Sequence, residues 1–109
     1  MTEVSPGDLR HRLTLEELVR VADEGGGFTE DWVTVATLFA NLRPIGGDER
    51  YEADRLAGRI THEVSLRYRA GVVPAMRFRK GTRIFHIVSA IDVKERRRWL
   101  NCLCEEREL

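Results

Sequence analysis

Between Ile60 and Glu106 the chain reads as strand, turn, strand, tight turn, strand, turn, strand, with almost no residues to spare. Ile60, His62, Val64, Leu66 and Tyr68 alternate with Thr61, Glu63, Ser65, Arg67 and Arg69. A period of two over that length is the pattern of a strand with one buried and one wet face. Ala70-Gly71 and Pro74 break it. Met76 and Phe78 then alternate with Arg77 and Arg79, Lys80-Gly81 turns the chain, and Arg83 to Ile91 follows with apolar residues on both faces. Asp92 to Glu95 turns into Arg96-Arg97-Arg98 and a last strand, Trp99 to Glu105. The pattern predicts a compact β module with arginines along its outer surface.

The first half adds two strands. Leu9, His11, Leu13 and Leu15 alternate with Arg10, Arg12, Thr14 and Glu16, and the period slips at Glu16-Glu17, where a bulge or a strand end is expected. Asp23-Glu24-Gly25-Gly26-Gly27 predicts a long, acidic, mobile hairpin tip. It is not a phosphate loop, since no Lys-Ser/Thr and no helix start follow. Trp32 to Leu42 is apolar on both faces, which implies cover from the rest of the domain or from a neighbouring subunit. Pro44 ends it. Gly46 to Gly58 is the helical candidate, with Asp48 as N-cap and a helix over about Asp48–Ala57. Its apolar face is thin (Tyr51, Ala53, Leu56 and Ala57), so it packs weakly on its own domain. The expected fold is a mainly β, six-stranded antiparallel barrel or sandwich with one short inserted helix. It is one domain over residues 1–109, with 1–8 and 106–109 flexible.

No apolar run is long enough for a membrane span, and the start of the chain lacks the basic and apolar regions of a secretory signal. Formal net charge is +0, unevenly spread. Residues 1–54 carry 5 Lys/Arg against 12 Asp/Glu, a net of −7; residues 55–98 carry 12 against 3, a net of +9. An acidic half and a basic half suit head-to-tail contact between copies, unless interleaved strands mix the charges.

Catalytic patterns are missing: no nucleophile elbow, no HExxH, no paired carboxylates beside a histidine. His62 and Glu63 point to opposite strand faces. The chain is therefore expected to be no enzyme and to need no cofactor. Cys102 and Cys104 share one strand face and read as small buried residues, the alternative being a metal site with His11, His62 or His86. His86 itself reads as a core histidine. The arginines are the strong signal: Arg67, Arg69, Arg77 and Arg79 on two strands joined by a short turn, with Arg96, Arg97 and Arg98 nearby in sequence. Such a surface can track phosphates, so a monomeric nucleic-acid-binding barrel is one alternative function.

Read end to end, the chain resembles the phage head–tail joining family, the small head-closure or stopper proteins of tailed phages. The matching words are Leu9-Arg10-His11-Arg12-Leu13-Thr14-Leu15, a glycine turn before Trp32, Val35 to Pro44, Gly47-Asp48-Glu49 leading to Ala53, Thr61 to Arg69, Met76-Arg77-Phe78, Gly81 to Ile87 and Glu95-Arg96-Arg97-Arg98. Glu16-Glu17 departs from the usual polar or proline-containing link. The resemblance implies a small barrel that forms a ring with copies of itself beneath the portal and its adaptor. Such rings retain packaged DNA and dock a tail-terminator or tail protein below, in the neck of a phage or a gene transfer agent. A tail-terminator ring subunit is a further alternative. By position, the inserted segment with Gly46, Gly47, Asp48, Glu49, Arg50, Tyr51, Arg55 and Leu56 would face the channel. Asp23, Glu24, Glu30, Asp31, Arg67, Arg69, Arg77, Arg79, Arg96, Arg97 and Arg98 would contact neighbouring subunits or layers.

Overall fold

A computed structural model of the chain describes residues 5–45 and 60–107. Six strands form: β1 (His11–Ala22), β2 (Phe28–Pro44), β3 (His62–Arg67), β4 (Arg77–Lys80), β5 (Arg83–Asp92) and β6 (Trp99–Arg107). All neighbours are antiparallel, and the order β1-β2-β3-β6-β5-β4 closes on itself as a barrel. Short 3₁₀ turns at Pro6–Asp8 and Val93–Glu95 complete the regular structure among the described residues. The expected helix over Asp48–Ala57 lies outside them. Pro6–Asp8 forms a turn held by Ser5 and Asp8, and Glu106 and Arg107 belong to β6.

Alternation fills the barrel. Leu13 and Leu15 of β1, Ala40 of β2, Val64 and Leu66 of β3, Phe78 of β4, Phe85 and Ile87 of β5, and Leu100, Cys102 and Cys104 of β6 form one buried cluster. The β1–β2 register slips between Leu15 and Glu16, the expected bulge, and β1 then runs on to Ala22 rather than ending. A second bulge lies in β5 between Ile87 and Ser89. β5 is flanked by β4 and β6, as every strand of a closed barrel is flanked.

Two strands differ from the alternating expectation. Glu63 and Ser65 of β3 are buried, not wet. Arg43 donates to Glu63 Oε2 at 2.9 Å from the paired position on β2, and the Ser65 hydroxyl donates to Asn101 Oδ1 at 3.3 Å on β6. The outer face of β3 is thus covered by polar neighbours that alternation does not reveal. On β2, by contrast, Val33, Val35 and Phe39 stay exposed, so this domain leaves one apolar face of that strand uncovered.

The β1–β2 hairpin outgrows the barrel. β1 pairs with β4 only from Thr14 to Glu16, and β2 with β3 only from Ala40 to Pro44. Beyond those stretches the two strands pair only with each other. The long axis is 50 Å against 27 Å in the other directions, and the radius of gyration of 14.9 Å exceeds the roughly 13 Å of a compact chain of this length.

Candidate functional site

The antiparallel order fixes two ends. At one end β2 stops, β3 and β5 start and β6 finishes; the roots of residues 46–59 lie there. Ile45 donates to the Thr61 carbonyl at 2.9 Å, Thr61 donates to the Cys104 carbonyl at 2.9 Å, and Thr61 Oγ1 accepts from the Glu106 amide at 2.7 Å. Ile45 and Ile60 are buried. Both points of departure are therefore pinned to the sheet. The channel-facing candidates Gly46 to Leu56 lie outside the described residues.

A charged rim surrounds those roots. Arg83 donates to both Glu106 oxygens at 2.7 and 3.2 Å, His62 lies 4.0 Å from Glu106 and edge-on to Phe85, and Lys80 Nζ meets His11 Nδ1 at 2.7 Å. The hydrogen bonds from Arg83 hold the Glu106 carboxyl below its ordinary range. Partial burial, then the charges of Lys80 and Arg83, push His11 down, so its neutral ring accepts the bond from Lys80.

At the opposite end the hairpin departs and the β5–β6 loop turns. Asp23, Glu24, Glu30 and Asp31 all lie exposed on this hairpin. Asp23 shapes its tip: Oδ1 accepts the Gly25 and Gly27 amides, each at 2.9 Å, and of the three glycines only Gly26 takes a positive φ, at 83°. Arg20 stacks on Phe28 at 4.8 Å. Leu18, Val21, Phe28 and Val33 are nevertheless exposed, Phe28 by 60%.

Beside the hairpin's end of the barrel lies a cleft of about 970 Å³, walled by the Pro6–Asp8 turn, the end of β3 and the β5–β6 loop. Arg67, Lys94, Arg96, Arg97 and Arg98 line it, with Asp8 as the one carboxylate. Arg67 lies 5.5 Å from the Trp99 ring, and the Arg97 amide donates to Asp92 at 2.9 Å. Lys94, Glu95 and Arg97 adopt positive φ, three of the four such non-glycine residues among the described ones. Left-handed backbone costs on the order of 1 kcal/mol per residue, and here it is concentrated in one exposed loop.

The predicted arginine face is divided in two. β3 and β4 are neighbours in sequence but stand on opposite sides of the six-strand circle. Arg67 joins Arg96, Arg97 and Arg98 at the cleft, and Arg69 is exposed just past β3. Arg77 and Arg79 sit across the barrel and converge on Glu16, at 2.7 and 3.3 Å. The Glu16 side chain is 5% exposed and that of Arg77 13%, while Arg79 remains half open. Arg77 also stacks on Trp32 at 4.0 Å, and Trp32 meets His86 edge-on at 6.0 Å. His86 is only partly buried, outside the main cluster, and its burial, then Arg107 and Arg77, lower its pKa. This group at the hairpin's root escaped the sequence reading. Its signal was present: a lone acidic break in β1, two arginines one residue apart in β4.

Both cysteines lie in the core, and burial pushes the Cys102 thiol up to about 12 and the Cys104 thiol well above its ordinary value. They act as apolar filling rather than thiolates. No metal-binding group of three His, Cys, Asp or Glu occurs among the described residues, and no helix there is long and apolar enough to cross a membrane.

Comparison with known proteins agrees with this geometry. The family model for phage head completion proteins matches residues 4–107. The chain is similar to protein SF1141 from Shigella flexneri 2a, whose solution structure superposes with a TM-score of 0.77 at 25% identity, covering 94% of this chain and 96% of that one. It is also similar to a chain in the virion of a native gene transfer agent particle, with a TM-score of 0.66 and 31% identity over 93% of this chain and 96% of that one. No curated protein matches it.

Proposed function

The chain belongs to the phage head completion protein family, and from that premise we propose that it forms a ring at the head–tail junction of a phage or gene-transfer-agent-like particle. In this reading it is a structural part of the particle. The ring sits below the portal and its adaptor, retains the packaged DNA and receives the tail. The inserted segment, Gly46 to Leu56, faces the channel. The observation that carries the reading is the hairpin: it projects from the barrel with apolar side chains unburied on both of its faces, Leu18 and Phe28 on one and Val21 and Val33 on the other, and Val35 and Phe39 are exposed further along β2. A domain working alone has no reason to hold such a surface in water, whereas a ring of copies covers it.

Cryo-electron microscopy of the particle tests this. A ring of these barrels between portal and tail is expected, and particles made without the chain should fill and then lose their DNA. Absence of the chain from the neck overturns the reading. Tyr51→Ala with Leu56→Ala should leave thermal stability unchanged and make filled heads leak. A large fall in Tm would instead assign that segment to the barrel's own core.

A further inference from the structure

The hairpin and the basic cleft are complementary in charge and in chemistry. From Glu17 to Val33 the hairpin carries five carboxylates against one arginine. The cleft presents Arg67, Lys94, Arg96, Arg97 and Arg98 against Asp8. Beyond its carboxylates the hairpin offers an exposed aromatic, Phe28, and the cleft has Tyr68 and Trp99 in its lining. A cleft of about 970 Å³ is near the top of the roughly 300–1,000 Å³ range of ligand pockets and takes several side chains at once.

Topology makes the meeting feasible. β1 is antiparallel to β4, and β4 to β5, so β1 runs parallel to β5. The hairpin therefore leaves the barrel at the same end at which β5 turns through the basic loop into β6. Rotation about a ring axis, without inversion, can bring one copy's hairpin to the next copy's cleft. A contact between two different surfaces of identical chains is heterologous, the kind that closes rings. Opposite charge orients the encounter, and the desolvated aromatics hold it.

We propose that the acidic tip of the β1–β2 hairpin, led by Glu24 and Phe28, docks in the Arg67–Arg96–Arg98 cleft of a second copy, and that this is the lateral contact of the ring. This rests on the ring reading above and specifies which surfaces meet.

Disulfide trapping in assembled particles tests it. The native cysteines are buried, so Glu24→Cys and Arg96→Cys supply the accessible thiols. Particles built from the chain carrying both changes should yield, on oxidation, a ladder of disulfide-linked multimers. Particles carrying either change alone should yield none. If neck images show the ring but no ladder forms, or Glu24→Cys alone links pairs, the hairpin–cleft contact is wrong and the ring reading survives. If the chain is missing from the neck, both fail. DNA is the competing occupant: a fluorescent duplex bound by the purified protein at low salt, with binding lost in Arg96→Glu/Arg98→Glu while no ladder forms, would assign the cleft to phosphate and overturn the proposal.

Discussion

The barrel and its hairpin are made of the same continuous strands, yet they obey different rules. From Thr14 to Glu16 in β1, and from Ala40 to Pro44 in β2, each strand has a neighbour on both sides, and the inward Leu13, Leu15 and Ala40 are wholly buried. Past the bulge, the same two strands keep an apolar composition and lose their cover. Phe85 and Phe28 are chemically alike, but one is fully enclosed and the other 60% exposed. Apolar content thus measures burial only once the partners are known. In the barrel those partners belong to the chain itself; along the hairpin the domain leaves Leu18, Val21, Phe28 and Val33 without such cover.

Substitutions on either side of the bulge test this contrast. Phe85→Ala removes a fully buried ring and should cost about 3–5 kcal/mol in chemical denaturation, a large part of the stability of a domain this small. Glu16→Ala attacks the junction between the two regions. It strands Arg77 and frees Arg79, which is already 46% exposed, so the loss should be about 2–3 kcal/mol rather than the roughly 3–5 of a fully enclosed pair. Phe28→Ala should change monomer stability by no more than about 0.5 kcal/mol. A loss comparable to that of Phe85→Ala would mean the hairpin folds back on its own barrel. Hydrogen exchange offers an independent view: amides at the hairpin's outer half should open far below the global free energy, those of β3 and β6 near it.

Acidification should give the smallest effect, and it should act on the barrel. His11 and His86 titrate below the ordinary 6.5, so the stability they contribute is complete above that pH and is lost as pH falls through the lowered values. Glu106, held down mainly by Arg83, adds a second loss below its ordinary 4.5. Tm should therefore fall in two stages as pH drops from neutral, and His11→Gln should blunt the first. A Tm that rises between pH 7 and 5.5 would contradict this assignment.

Much of the barrel was legible because inward positions repeat with period two and turns carry their own residues, as at Lys80-Gly81. The bulge at Glu16 was legible for the same reason. What the sequence hid were relations between distant strands. Glu63 and Ser65 look like wet positions until Arg43 and Asn101 are found beside them. Arg69 and Arg77 look adjacent until the intervening loop is seen to cross the barrel end, burying Val72 and Met76 on the way. Glycines suggested a loose hairpin tip; one aspartate carboxyl organises it.

Closure of the barrel has a consequence for the chain's life before it meets a partner. Six strands joined in a circle leave no free backbone edge, but the hairpin reopens two, along β1 past Glu16 and along β2 before Ala40. Exposed edges recruit strands indiscriminately, and apolar flanks worsen the risk. Glu17, Arg20, Glu30 and Asp31 are spaced along those edges, and charge there discourages stacking of like chains into fibrils. The carboxylates of Glu17, Glu30 and Asp31 thus serve as gatekeepers of solubility, and neutralising them should make the unassembled chain precipitate.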